Sequence, residues 1–506
     1  MKVRTVLLLT IGPALGLITP VEGLEDVLEI GSRLELMLDE HLIDRMSGGA
    51  ALRLHKPTPR EISIVHDEPW EGNSCVYHVV FQDGELYRMY YTTASQELLG
   101  EPPSHKPLVG YAESRDGIHW TKPQLGLFEF DGSSANNIVW NGSGLEAMTT
   151  VGFAPFKDTN PDTKPGERYK AMVGDPRKSE VAGIYAFKSS DGLRWEPMSP
   201  KPVLRPTIPN HFDSQNVAFW DSVRGHYLCF QRAMRDGKRD IVVSQSSDFL
   251  HWSEPVWIEY PGAPREQLYT NQILPYYRAP HILLGFPARY IDRGWSDAME
   301  ALPGLEHRKL RREASEREGS ALTDGLFMSS RDARNFRRWD EAFIRPGLRP
   351  NDNWVYGDNY QNWGIVETAS SIEGAPNELS VYATESYWTG TSSQLRRYTL
   401  RVDGFASVGA PLGGGEFVTK PLTFQGQSLV MNFSTSAAGD VRVEIQDQSG
   451  RPLDGYLLAD CDPIFGDELE RVVRWKGGNE PGQLEGQPIR LRFVIRDANL
   501  YAFRFR

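Results

Sequence analysis

Five acidic residues, Glu71, Asp213, Glu266, Asp358 and Glu385, stand just before the first strand-like run of a repeated unit or at the end of its second run. Carboxyl groups at such places can meet across one shared pocket. Hydrolysis of a glycosidic bond needs two of them on opposite sides of the bond, one protonated and one ionised. His211, Arg232, Asn271 and Arg289 are the polar candidates for holding a substrate there. Arg232 and Arg289 close the runs "CFQR" and "LLGFPAR", and a guanidinium can grip a sulfate or a uronate carboxylate through two parallel N–H bonds. Trp70, Tyr269, Tyr290 and Trp354 offer faces on which a sugar ring can stack. Each has a plainer alternative. A loop acid is most often solvated, an arginine at a strand end most often pairs with a neighbouring acid, and most Trp and Tyr of a β protein are core.

The units that would position these residues show in a heptapeptide written three times: "SRDGIHW" (Ser114 to Trp120), "SSDGLRW" (Ser189 to Trp195) and "SSDFLHW" (Ser246 to Trp252). A degraded fourth copy, "SRDARNFRRW", runs from Ser330 to Trp339. The four Trp are about 73 residues apart on average, the size of one four-stranded sheet with its loops. Before the copies come pairs of alternating runs joined by Asp-containing turns, such as "VYHVVF"–"QDGE"–"LYRMYYTTA" and "NVAFW"–"DSVRG"–"HYLCFQRA", which are hairpin signals. In the heptapeptide the Asp can accept backbone N–H bonds, the next residue tolerates left-handed geometry, and the Trp packs between sheets. The motif is therefore a structural staple.

A fifth unit follows in "NYQNWGIVET", "ELSVYATESYW" and "QLRRYTLRVDGF", where "RVDGF" (Arg401 to Phe405) echoes the staple's turn. The expected fold is all-β: a five-bladed β-propeller followed by a C-terminal β-sandwich. Residues 1–23 read as a signal peptide, 24–405 as the propeller and 406–506 as the sandwich, with "GAPLGGGEF" as a hinge. "LELMLDEHLID" near the start is expected to close the ring as an outer strand. "SLVMNFST", "DVRVEIQD", "IRLRFVIRD" and "LYAFRFR" are expected to be four separate strands. The charged stretch from Ser296 to Ser320 is helix-compatible and sits inside the fourth unit, at the end of a second strand; it is expected to rise from the pocket face as a lid.

Composition removes other classes. Lys+Arg 55 against Asp+Glu 67 give a net charge of −12 with no basic run, so nucleic acid is not an expected partner. Three cysteines, Cys75, Cys229 and Cys461, make no disulfide framework and no Cys-x-x-Cys metal pair. Lys2 and Arg4 precede the apolar "VLLLTIGPALGLITP", and small residues follow at Val21 and Gly23; this reads as a secretory signal, giving a secreted or periplasmic product with no membrane span after cleavage. No Gly-x-Ser-x-Gly, His-Glu-x-x-His or phosphate loop is present, no ligand cluster for Ca²⁺ or another metal stands out, and no cofactor is implied.

"SSDFLHWSEP" and "SRDGIHWTKP" closely resemble the blade motif of the five-bladed glycoside hydrolases, the clan of families 32, 43, 62 and 68. A sandwich after the propeller is the family-32 arrangement. From Leu34 onward the chain resembles secreted bacterial proteins labelled family-32-like, in "YRMYYT", "FDSQNVAFWD", "YTNQILPYYRAPH", "RRYTLRVDGFAS" and "VTKPLTFQGQSLVMNFSTSAAGDVRVEIQD". The resemblance implies three carboxylates at the starts of the first three inner strands: nucleophile, transition-state stabiliser and general acid. In this chain Ser74 and Cys75 fall near the first position, with Glu71 the nearest carboxylate. "TTVGFAPF" occupies the second, with no acid before Asp158, and Asp213 falls at the third.

The expectation is an exported, exo-acting glycoside hydrolase with a pocket on the propeller axis, taking an oligo- or polysaccharide that includes anionic ones. Asp213 should face Glu71 or Glu266 across that pocket, with a raised pKa on one of the pair. Two alternatives stand beside it: a non-catalytic carbohydrate-binding propeller, and a six-bladed sialidase-like enzyme, whose repeats also run Ser-x-Asp to Trp.

Overall fold

The computed structural model describes residues 27–95, 105–144, 150–175, 182–348, 354–390 and 393–506; the expected signal peptide lies outside them. In all four heptapeptides the Ser Oγ accepts the N–H three residues on, from Gly117 (2.9 Å), Gly192 (2.8 Å), Phe249 (3.0 Å) and Ala333 (3.0 Å). The Asp accepts two further N–H groups, as Asp248 does from Leu250 and His251 at 2.9 and 2.8 Å. This local bonding holds residue four of the motif at positive φ: 71° at Gly117, 79° at Gly192, 69° at Phe249 and 64° at Ala333. Trp195 and Trp252 then fold back to donate to the carbonyls of Gly192 and Phe249. In the fourth copy the residue six positions after the Ser is Phe336, fully buried in the same core as Phe230 and Phe249. Trp339, read from sequence as the fourth staple aromatic, therefore yields that place to Phe336, because the hydrogen bonds count from Ser330.

Five four-stranded antiparallel sheets follow one another along the chain. Sheet 1 holds Val76–Asp83, Leu86–Thr93, Leu108–Ser114 and Ile138–Trp140; sheet 2 holds Ala154–Lys157, Tyr169–Asp175, Gly183–Ser189 and Glu196–Pro197. Sheet 3 holds Val217–Asp221, His226–Arg235, Lys238–Ser246 and Val256–Trp257. Sheet 4 holds Leu274–Tyr276, Ala279–Gly285, Met328–Ser330 and Arg337–Arg338, and a three-stranded piece (Gln267–Leu268, Ala288–Asp292, Ala321–Gly325) extends it. Sheet 5 holds Val366–Thr368, Glu378–Glu385 and Ser393–Arg401, and its outer strand is Thr58–His66 from near the N-terminus.

Contacts run from each sheet to the next and from the fifth to the first. Tyr90 of sheet 1 donates to the Gly192 carbonyl of sheet 2 at 2.9 Å. Lys170 of sheet 2 reaches Tyr227 of sheet 3 at 2.8 Å. Phe336 N donates to Glu259 O, and Trp363 Nε1 to Ile273 O, each at 2.8 Å. Tyr382 of sheet 5 donates to the Gly117 carbonyl of sheet 1. At this last seam the backbones of Trp363 and Gly364 lie against His78 and Val80. A Cβ on Gly364 would stand 1.8 Å from the Val80 carbonyl oxygen, so only glycine fits.

Two expectations change here. The strand that completes sheet 5 is Thr58–His66, not "LELMLDEHLID"; the latter supplies Glu35–Leu36 and the start of Ile43–Gly48, which join the C-terminal strands. Residues 28–54 thus belong with the C-terminal region, and the division expected at 24 and 406 does not follow the sheets. Together Leu28–Gly31, Glu35–Leu36, Ile43–Gly48, Ala51–Leu54, Ala406–Ala410, Gly415–Thr419, Leu422–Phe424, Leu429–Asp447, Asp467–Val472 and Ile489–Phe505 make one ten-stranded sheet. "GAPLGGGEF" is a turn within it rather than a hinge. The four strands expected near the end are two long ones, each bent where the register shifts between Thr435 and Asp440. The bend wraps the sheet around a core containing Phe417, Phe433, Phe493 and Phe503.

This sheet is bonded to the others through buried charge. Glu35, 1% exposed, pairs with Arg331 of sheet 4 at 2.6 Å. Burial raises its pKa, but the hydrogen bond from His281 and the charge of Arg331 prevail and hold it down to about 2. Asp403 accepts from Tyr276 (2.7 Å) and from Asn432 of the ten-stranded sheet (3.0 Å). The "RVDGF" turn is therefore a tie between regions, with Asp403 itself at φ 65°.

Candidate active site

Near the start of the first strand of each of the five sheets sits a residue in the left-handed region: Tyr77 (φ 61°), Gly152 (78°), Phe212 (69°), Gln272 (45°) and Asn359 (62°). Bulky residues held there cost roughly 1–3 kcal/mol each and gather where a site is built. Gln215 donates to the Tyr77 carbonyl at 2.9 Å, and Gln272 donates to Gln215 Oε1 at 2.8 Å. The entries to sheets 1, 3 and 4 are thus tied side by side. Asn216 accepts from Arg232 N (3.1 Å) and donates to the carbonyls of Phe212 and Ser214. That hook turns Asp213 outward, leaving its side chain 59% exposed and in an ion pair with the nearly buried Arg232.

Beside this pair six tyrosines converge. Tyr77 and Tyr360 stack at 6.4 Å, Tyr269 and Tyr360 lie 5.2 Å apart, and Tyr356 Oη donates to Tyr269 Oη at 2.7 Å. Tyr290 and Tyr387 complete the group around Tyr356. Tyr77, Tyr356 and Tyr360 have their pKa pushed well above the usual phenol value, first by burial and then by one another; the Asp213 charge adds to this at Tyr77. They are neutral near pH 7 and present hydrogen-bonding and stacking faces rather than phenolates.

The helical insert packs against the loops that carry these tyrosines. α1 (Asp297–Glu300), capped by Ser296, α2 (Leu305–Ala314) and α3 (Glu316–Ser320) connect the strands Ala288–Asp292 and Ala321–Gly325. Arg308 and Arg311, one helical turn apart, are both buried. Arg308 donates to Trp354 O at 2.9 Å; Arg311 donates to Tyr356 O at 3.2 Å and Tyr387 O at 2.7 Å. Burial lowers the Arg311 pKa to about 10, so it remains a cation. These bonds fasten α2 to the backbone of the tyrosine loops. α3 then brings Glu318, with Arg317 3.6 Å away, to where its charge acts on Tyr387 and Arg311.

Of the other four acids named from sequence, Asp358 lies among the tyrosine loops, and Glu71, Glu266 and Glu385 are each held by cations. Glu71 is fully buried beneath sheet 1: Tyr91 (2.5 Å) and Lys122 (2.6 Å) donate to it, and His66 Nδ1 lies 3.5 Å off. Burial raises its pKa, but the hydrogen bond and charge of His66 and the charge of Lys122 hold it at about 2, the opposite of a raised proton donor. Glu266 pairs with Arg289 (2.8 Å) and Arg338 (2.6 Å). Asp358, nearly buried, accepts from Tyr387 N at 2.9 Å and balances Arg308 and Arg311. Glu385 accepts from Arg396 at 2.6 Å beside Arg60 and Tyr398. Both acids expected to partner Asp213 are engaged by cations, Glu71 by Lys122 and Glu266 by Arg289 and Arg338.

Among the polar candidates only Arg232 stands at the recess edge in contact with Asp213. His211 is buried against Phe212, ring centroids 3.8 Å apart, and burial lowers its pKa to about 4. Asn271 is spent on the Phe230 carbonyl and Ile273 N. Arg289 is clamped by both Asp324 oxygens and lines a separate cleft of about 560 Å³ with Trp354. Trp70 donates to Asn137. Tyr269 and Tyr290 belong to the tyrosine group. Sequence reading missed Tyr77, Tyr356, Tyr360, Tyr387, Arg239, Arg317 and Glu318. The crowding of aromatics in "NWVYGDNYQNW" and "ESYW" was the available signal. Among the described residues no cluster of ligands fit for a metal ion occurs, and no helix is long and apolar enough to cross a membrane.

No protein-family model matches the sequence, and no curated protein matches it either. Solved structures similar to it include an N-acetylgalactosamine deacetylase from F. plautii in complex with blood group B trisaccharide, at 12% identity and TM-score 0.41, covering 71% of this chain and 95% of that one. Another is the catalytic domain of a GH62 α-L-arabinofuranosidase from Coprinopsis cinerea (10% identity, TM-score 0.42, 68% and 97% covered). A third is an α-L-arabinofuranosidase from Clostridium thermocellum (12%, 0.36, 60% and 80%). At TM-scores under 0.5, neither the fold nor the activity of this protein follows from them.

Proposed function

We propose that the five sheets are blades of a propeller and that the chain is an exported hydrolase of glycosidic bonds, acting at the tyrosine-lined recess. The observation that carries this reading is the arrival of two carboxyl groups from different parts of the chain, Asp213 and Glu318, around one set of neutral tyrosines. Asp213, ion-paired with Arg232, takes the part of the ionised carboxylate, as base or nucleophile. Glu318 donates the proton to the leaving oxygen. The resemblance implied the general-acid role at Asp213; its ion pair with the buried Arg232 is closer than the 3.6 Å pair of Glu318 with Arg317, and that difference is the reason to exchange the two. Tyrosine faces stack the sugar ring, and the insert packed against their loops favours attack at chain ends. Export rests on the apolar N-terminal run after Lys2 and Arg4.

The test is a panel of plant and algal glycans incubated with the purified protein, with Asp213→Asn and Glu318→Gln beside it, and the released sugar followed by proton NMR. Loss of release in both variants supports the pair; the anomer first formed reports a spacing of roughly 5–5.5 Å (retaining) or 6.5–9.5 Å (inverting). Full activity in either variant removes that residue from the chemistry. A binding-only module is favoured by one observation: in sheet 2, where the resemblance puts a stabilising acid, Asp158 is the first acid reached, and it is occupied by Lys170, Tyr227 and Thr163. Binding without any cleavage across the panel would select that reading.

A further inference from the structure

Two guanidinium groups meet the ring of Tyr269. Arg232 lies 5.6 Å from its centroid and Arg239 5.3 Å, and Arg239 also lies 4.2 Å from the centroid of Tyr290. Their charges are not balanced alike. Arg232 has Asp213; Arg239 has no ion pair among the described residues, and its one neutral acceptor is Gln267 Oε1, at 2.6 Å. The Nε of Arg239 is buried without an acceptor, and so is that of Arg232. A guanidinium carries five N–H donors in a planar fork. Stacking on two tyrosines fixes the plane of Arg239 and offsets part of its desolvation, but leaves donors unmet. The group that completes such a fork is an oxyanion.

We propose that the recess takes an anionic sugar, whose carboxylate or sulfate group docks on Arg239 while its ring lies against Tyr269 and Tyr290. This rests on the hydrolase reading for the location of the site, and adds the substrate class. Calorimetric titration of the full-length protein compares glucuronate and galacturonate with glucose and galactose, and galactose 6-sulfate with galactose. Arg239→Met, which keeps an apolar side chain over the tyrosines, is titrated in the same way. The expected result is binding of at least one charged series at least tenfold tighter than its neutral partner, with that preference lost in Arg239→Met. The uronate and sulfate arms identify which oxyanion is taken. Neutral sugars binding as well as both charged series overturn the proposal, as does a charge preference unchanged in a folded Arg239→Met. Should that variant fail to fold, the wild-type comparison decides. Charged-sugar binding that depends on Arg239 without any bond cleavage keeps this inference and removes the hydrolase reading; cleavage of neutral glycans with unaltered kcat/KM in Arg239→Met does the reverse.

Discussion

Glu71 and Asp213 both precede the first strand of a sheet, yet they have opposite surroundings. Glu71 has no exposure; Tyr91, Lys122 and the Glu68 N–H all donate to its two oxygens, and His66 lies alongside. Asp213 has more than half its side chain exposed and, among the described residues, one ion-pair partner, Arg232. A carboxylate with every acceptor site filled stabilises the seam between sheets 5 and 1 but has nothing left for a substrate. One held from a single side is oriented and still open. Position in a repeat selects both residues equally; the number of donors around each separates them.

The largest expected effect that would sharpen this contrast is at Asp213. Asp213→Asn keeps volume and removes ionisation, so turnover should fall by at least about a hundredfold with an unchanged urea midpoint. A fall in stability instead would assign Asp213 to the scaffold. Glu71→Gln should do the converse, lowering unfolding free energy by on the order of 3 kcal/mol at neutral pH while leaving kcat near wild type. The sign with pH follows from the depressed pKa. The stabilisation is full above the ordinary value of 4.5 and is lost as pH falls toward about 2, so wild type and variant should converge in acid urea melts. A gap that widens on acidification would contradict the assignment. Asp248→Ala removes the acceptor of two staple N–H groups and should cost about 1 kcal/mol in the same melts. The smallest effect is expected at Arg289. Arg289→Met should leave turnover within about twofold, because its partners are Asp324 and Glu266 rather than the recess; a hundredfold loss would move the site to the neighbouring cleft.

What was legible in the sequence was what is bonded locally. The staple's Ser, Asp and left-handed residue lie within four positions, so their hydrogen bonds are written in the heptapeptide. Even there the fourth aromatic was misread, because Trp339 is the conspicuous residue and Phe336 the one at the right offset. Pairing over long distances left no such mark. Nothing near Thr58–His66 announces Ser393–Arg401 as its neighbour, and the bends in the last two long strands look like strand ends because small residues and Asp interrupt the alternation. Glu318 looked like one more charge on a polar helix. Its charge reaches Tyr387 because Arg308 and Arg311 turn inward, a reversal of the usual helix face that periodicity alone does not signal.

The outer strand of sheet 5 has a consequence in time. Arg60 bonds Thr399, 339 positions away, so a strand made early must wait for nearly the last sheet. At synthesis rates of about 5–20 residues per second, that wait is roughly 20–70 s. Until then sheets 1 to 4 can form from neighbours in sequence, while Thr58–His66 remains a free β edge able to pair with other copies. Closing a loop of this length also puts the slow step of refolding at the seam between the first sheet and the last. A polypeptide stopped before Ser393 would hold four of its sheets and still be prone to aggregate, and the completed one would gain protease resistance in a single late event.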